Sequence, residues 1–204
     1  FTSTGTIQLY DGGAISGAVD NTGTANQGTL TFNGSGSVSG AIGATKALAS
    51  IGLINASNAA VTLSDNVTTK AITLGANAGS ATFGGTTKIN DAVNFTAAGQ
   101  NITFKGTTDL ANGINLKGFA STVTLDSTSA SKTLTGAVTT ATNDTGTLAI
   151  EGANTFTVAN AVGSNGNALS SVTIADSSNA IFSSTIHANA LTVGTGSATF
   201  NDAV

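Results

Sequence analysis

SATFGGTTKINDAVNFTAAGQNITF, Ser80 to Phe104, opens on the alternating run Ser80-Ala81-Thr82-Phe83 and closes, 21 residues after Phe83, on the matching run Asn101-Ile102-Thr103-Phe104. Between them lie Gly84-Gly85, a short run through Ile89, a second run Ala92-Val93-Asn94-Phe95, and turn material at Ala97-Ala98-Gly99-Gln100. Alternation with period two is the mark of a half-buried strand. Strand, turn, strand, turn and a return to the starting pattern describe one circuit of a coil.

The same pattern, two apolar residues flanking one outward residue, recurs along the chain. The apolar pairs are Ile7 and Leu9, Leu30 and Phe32, Val61 and Leu63, Ala81 and Phe83, Ile102 and Phe104, Val123 and Leu125, Leu148 and Ile150, Val172 and Ile174, and Ala198 and Phe200. Their spacings of 20 to 31 residues fall in the range where solenoids are expected. The near-identical phrases Ile72-Thr73-Leu74 followed by Gly79 to Phe83, and Leu191-Thr192-Val193 followed by Gly196 to Phe200, are the strongest internal repeat. The chain therefore reads as all-β, a right-handed parallel β-helix of about nine irregular coils of roughly 20–31 residues, with residues 1–204 expected to form a single β-helix segment of something longer. The 31-residue step, holding Gly40 to Ala49, predicts an insertion or a local helical turn. The last residues, Asn201-Asp202-Ala203-Val204, repeat Asn90-Asp91-Ala92-Val93 without a cap, which predicts that the rod extends further or that chains stack end to end.

Composition agrees with strands. The 204 residues include 26 Gly and no Pro, Cys, Met or Trp. Proline removes a ladder N–H, so its absence suits strands paired on both edges. Only 8% of residues are charged, yet 40% are hydrophobic and the mean hydropathy is +0.23, too apolar for a disordered chain. With no cysteine there is neither a disulfide framework nor a thiolate site. The formal net charge of -4, with no Arg, leaves no electrostatic footprint for nucleic acid. No run reaches the ~18 apolar residues of a membrane helix, so this segment is expected not to insert directly.

The stretch Gly28 to Ala44, GTLTFNGSGSVSGAIGA, together with the recurring ATF and NDAV phrases, resembles the passenger region of rickettsial outer membrane autotransporters, most closely the outer membrane protein B type of surface cell antigen. The resemblance is one of repetitive texture across most of the chain. It implies a β-helical passenger displayed on the bacterial cell surface, associated with the outer membrane through a part not present here. It also implies a surface-layer-like coat, neighbouring copies and a host-cell surface receptor as partners, and no catalytic motif.

The residues themselves carry little chemistry. One His, His187, stands without a Cys or an acidic partner in sequence, and the ten acids are scattered. A polysaccharide-active enzyme needs paired carboxylates or a positioned base; neither can be assembled from the sequence, although coiling could bring Asp126 and Glu151 close, since both follow a column strand, and solvated turn residues are the plainer reading of both. Gly12-Gly13 and Gly84-Gly85 lack the following Asp of a calcium-binding roll. The expectation is a non-enzymatic protein without a cofactor.

The one candidate binding feature is a ladder of outward threonines, Thr31, Thr62, Thr82, Thr103, Thr124, Thr173 and Thr199. Stacked, they would make a flat hydroxyl face like that of ice-binding or carbohydrate-binding solenoids. Threonine is also simply a good strand former, and the unequal spacings and the breaks at Gln8, Ala60 and Ala149 weigh toward that plainer reading. A self-assembling filament joined through uncapped ends is the other alternative.

Overall fold

The computed structural model describes residues 1–202. Within them the chain is all-β, with three parallel sheets of ten, nine and three strands. Each coil has three sides. The first side begins with Thr6–Leu9, Thr29–Phe32 and Leu48–Leu53. The second runs without a break from Gly13–Ile15 to Ala188–Val193. The third starts as single bridges, Val19 to Ile42 to Val67, and widens into strands from Thr87–Ile89 onward.

The central stretch is one coil as the sequence indicates. Phe83 lies on the second side, Ile89 on the third, Val93 on the first, and Phe104 pairs directly with Phe83. Their rings stack at 5.0 Å. Alternation then sorts each strand: in Gln100–Phe104 the residues Gln100, Ile102 and Phe104 are buried, while Asn101 and Thr103 face outward. Ile102, Phe104, Val123, Leu125, Leu148 and Ile150 are fully buried and form a continuous internal column.

The nine sequence-derived pairs do not form a single column. Leu30 pairs with Ile7 before it and Ile51 after it, on the first side. The six pairs from Val61 and Leu63 to Val172 and Ile174 are on the second side. Ala198 and Phe200 are on the third, against Ala180 and Phe182. The 31-residue step is therefore a change of side and not an insertion. Val38 is the true predecessor of Leu63, 25 residues back. Nor do residues 40–49 form a helical turn: Ile42 bridges Val19 and Val67, and residues 43–46 make an ordinary corner. The GSATF phrases likewise lie on different sides, Gly79–Phe83 on the second and Ser197–Phe200 on the third. All three sides ask the same of a strand, one face in and one face out, so pattern matching cannot tell them apart. The predicted continuation through Ala203 and Val204 lies outside the described residues.

One strand ties two sides together. Val67–Leu74 is long enough to turn a corner: Val67 to Thr69 pair with Thr87 to Ile89 on the third side, and Ala71 to Leu74 with Ser50 to Leu53 on the first. This joins strands from two sides into the ten-stranded sheet.

Corners are fastened to the next coil by side chains. Asp11, Asn66, Asn143 and Asp176 accept the N–H of Ser35, Thr86, Ala168 and Thr195 at 2.8–3.0 Å. The amides of Asn55 and Asn112 donate to the carbonyls of Phe32 and Asn90 in the preceding coil. One corner stores strain: Ile54 is fully buried at φ 57, a region costly for a β-branched residue. Gly79 makes room for it, since a Cβ there would lie 2.7 Å from the Ile54 methyl and 2.6 Å from the Ala59 carbonyl.

Phe104→Ala is expected to lower unfolding free energy by about 3–5 kcal/mol through loss of burial and a cavity. Thr103→Ala, one residue away and facing outward, should change it by no more than about 0.5 kcal/mol. Urea denaturation of the two variants checks both values.

Candidate binding face

The outward positions of the second side form two rows. In the first, Ser37, Thr62, Thr82, Thr103, Thr124, Ala149, Thr173 and Thr192 are successive register partners. In the second, Ala60, Ser80, Asn101, Thr122, Thr147, Ser171 and Ala190 follow the same register. Neighbours along a row are spaced at ~4.8 Å, and the rows stand roughly 6.6 Å apart, two residues along a strand. Neither row contains a charged residue.

Five of the seven candidate threonines, Thr62, Thr82, Thr103, Thr124 and Thr173, therefore share one row. Thr31 does not, being on the first side between Gln8 and Gly52, and Thr199 is on the third side opposite Ile181. Gln8 is not on this face, and the unequal spacings are taken up in corners while the strands stay in register. Ala60 and Ala149 remain as gaps. Sequence matching missed Ser37 and Thr192, because their strands carry Gly36-Ser37-Val38 and Leu191-Thr192-Val193 and were displaced by better matches on other sides.

The face ends at a charged edge. Lys105, Asp126 and Glu151 follow one another in successive coils, with Asp126 and Glu151 in register. Coiling thus brings together the pair singled out in the sequence, but Asp126 is already engaged. Its Oδ2 lies 3.3 Å from the Lys105 ammonium, and its Oδ1 accepts the N–H and the hydroxyl of Thr128 at 2.8 and 2.5 Å. Burial pushes the Asp126 carboxyl up, and the Thr128 donors with Lys105 outweigh it, holding the group below the ordinary 3.8. A carboxyl ionised at so low a pH is a poor proton donor at neutral pH. Gly84, Lys105, Asp126, Thr128 and Ser129 line a shallow cleft here.

Asp20 is similarly committed. The hydroxyl and N–H of Thr45 hold its carboxyl below the ordinary value. His187 is half-buried on the first side, its backbone N–H and carbonyl bonded to Val162 and Leu169. Among the described residues no group of three or more His, Cys, Asp and Glu is placed to hold a metal ion, and no helix is long and apolar enough to cross a membrane.

A second cleft lies on the third side, lined by Ala41, Ala44, Asn66, Val67, Thr68, Thr86 and Lys88. No sequence motif marks it, because its residues come from three coils.

No protein-family model, curated protein or solved structure matches this chain. The likeness to rickettsial surface antigens rests on sequence texture alone.

Asp20 and Asp126 have folded-state pKa values below their unfolded ones, so their stabilisation is complete above about pH 4 and is lost as pH falls through the folded values. Asp126→Asn should cost about 1–3 kcal/mol at pH 7 and flatten the loss of stability as pH falls below about 4. Urea midpoints measured across that range for both proteins are the check.

Proposed function

We propose that this chain is a non-enzymatic segment of a bacterial cell-surface protein, a stiff coat-forming rod whose repeated polar faces contact host cells. The observation that carries the reading is the unbroken register of the second side from Gly13–Ile15 to Ala188–Val193. Nine strands hold their outward side chains in fixed rows, and several acids are taken up in fastening corners to adjacent coils. What such a surface offers is repetition, with many weak contacts made at once. Multivalent display can raise avidity over single-site affinity by about 10²–10⁴.

A second reading is favoured by the geometry of the hydroxyl rows. A surface periodic in two dimensions, uncharged and stiff is matched at every position only by a ligand that is itself a lattice. Ordered water is the simplest, and the strand spacing is close to the oxygen repeat of hexagonal ice. On this reading the face binds ice, and Thr82, Thr103 and Thr124 form its centre.

The first reading is tested by binding fluorescent beads carrying the chain singly or as tethered tetramers to cultured mammalian cells. Tetramers should bind at least ~100-fold more tightly; equal and negligible binding of both overturns it. The second is tested by thermal hysteresis. The chain should depress the freezing point without equal depression of melting, and Thr103→Lys, which places a charge in the middle of the face, should abolish the gap. Absence of a gap in the unmodified chain overturns the ice reading.

A further inference from the structure

The cleft on the third side differs in chemistry from the rest of the surface. On a chain with net charge -4, the residues lining it offer one cation, one amide, two hydroxyls and two alanines, with Val67 turned into the core and no carboxylate among them. Its volume is about 430 Å³, within the range of small-molecule sites.

Local structure explains the shape. Gly43 sits at φ +65 with no side chain against the Thr68 carbonyl, which lets the corner approach the next coil. Ala41 and Ala44 form one wall of the cleft. Ile42 bridges Val67 and bonds its N–H to the Asn66 carbonyl, fixing that wall to the floor. On the far side Thr68 and Lys88 are register partners, so hydroxyl and ammonium stem from adjacent strands. Asn66 accepts the Thr86 N–H through Oδ1 at 2.8 Å, which leaves its NH2 as the end available to a ligand.

We propose that this cleft binds a uronic-acid sugar, its carboxylate on the Lys88 ammonium, its hydroxyls on Thr68, Thr86 and the Asn66 amide, and its C–H face on Ala41 and Ala44. Charge-assisted bonds to carboxylate are the stronger kind, and small apolar side chains leave a shallow floor that a pyranose ring can cover. Two acids stand nearby. Asp65 accepts the Asn66 N–H, and Asp109, the register partner of Lys88, accepts the Thr135 hydroxyl of the following coil at 2.8 Å. They offset part of the Lys88 field, so a single site is weak and sensitive to salt. The Lys105 cleft lacks this character because Asp126 already occupies its cation. The proposal rests on the surface-contact reading above and names the chemistry of the contact.

The test is titration of the isotopically labelled chain, followed by amide NMR, with a glucuronate-containing tetrasaccharide. A neutral N-acetylglucosamine tetrasaccharide and sodium acetate serve as comparison ligands. The acidic sugar should shift the amides of Thr68, Thr86 and Lys88. Lys88→Gln should weaken binding about tenfold, the scale of one charged hydrogen bond, while Lys132→Gln, an equal loss of charge elsewhere on the third side, should leave it unchanged. No shift at these amides overturns the proposal. So do equal shifts with the neutral sugar or with acetate, or equal losses in the two variants. Cell binding by tetramers separates the two claims: if it survives Lys88→Gln undiminished, the cleft is not the contact and the display reading stands. If sugar binding holds while tetramers fail to bind cells, the display reading falls and the cleft stands.

Discussion

Each coil is buried by its neighbours, and the rest of the structure depends on that. Val172 and Ile174, covered on both sides, are at most 2% exposed, whereas their register partners Leu191 and Val193 on the last described strand of the second side are 37% and 40% exposed. The sequence pattern is the same in both. The difference is the presence of another coil, which supplies apolar cover and partners for the backbone N–H and C=O groups. Register therefore has to be held over the whole stack, because a slip of one residue would turn every inward side chain out.

The corners make that possible. Coils differ in length, with Leu63 and Phe83 20 residues apart and Leu125 and Ile150 25 apart, yet both pairs are in register. The surplus is absorbed in turns, where Asp and Asn side chains bond to backbone groups one coil away. Positive φ at Asn26, Asn58 and Asp144 is tolerated because these residues visit that region with little strain. Lys117, Ser177 and Ile54 also adopt positive φ, and of these the β-branched, fully buried Ile54 is the most costly. Much of the polar chemistry of this chain is thus spent on holding its own shape.

What is left for partners is correspondingly simple: flat rows of small polar side chains, a charged edge whose central carboxylate is already paired, and one donor-lined cleft. The rows suit extended or periodic partners, since no single position is distinguished from the next. The cleft is distinguished, because three coils of different local conformation meet there and leave a cation without a carboxylate inside the same depression.

The parallel coil was legible in the sequence: alternation gives strands, the absence of proline permits pairing on both edges, and the 21-residue return from Phe83 to Phe104 gives the circuit. So were five threonines of one row, which recur with their strand. Which of three sides a strand occupies was not legible, and this misplaced Ile7, Leu30 and Ala198, and with them Thr31 and Thr199. An inward–outward pattern has period two on every side and carries no label for the side. Only the packed structure decides this, because side is set by how many corners the chain has turned, and corners vary in length. The meeting of Ala44, Thr68 and Lys88 was hidden for the same reason: sequence fixes each residue's direction within its strand, while proximity between coils is a property of the stack.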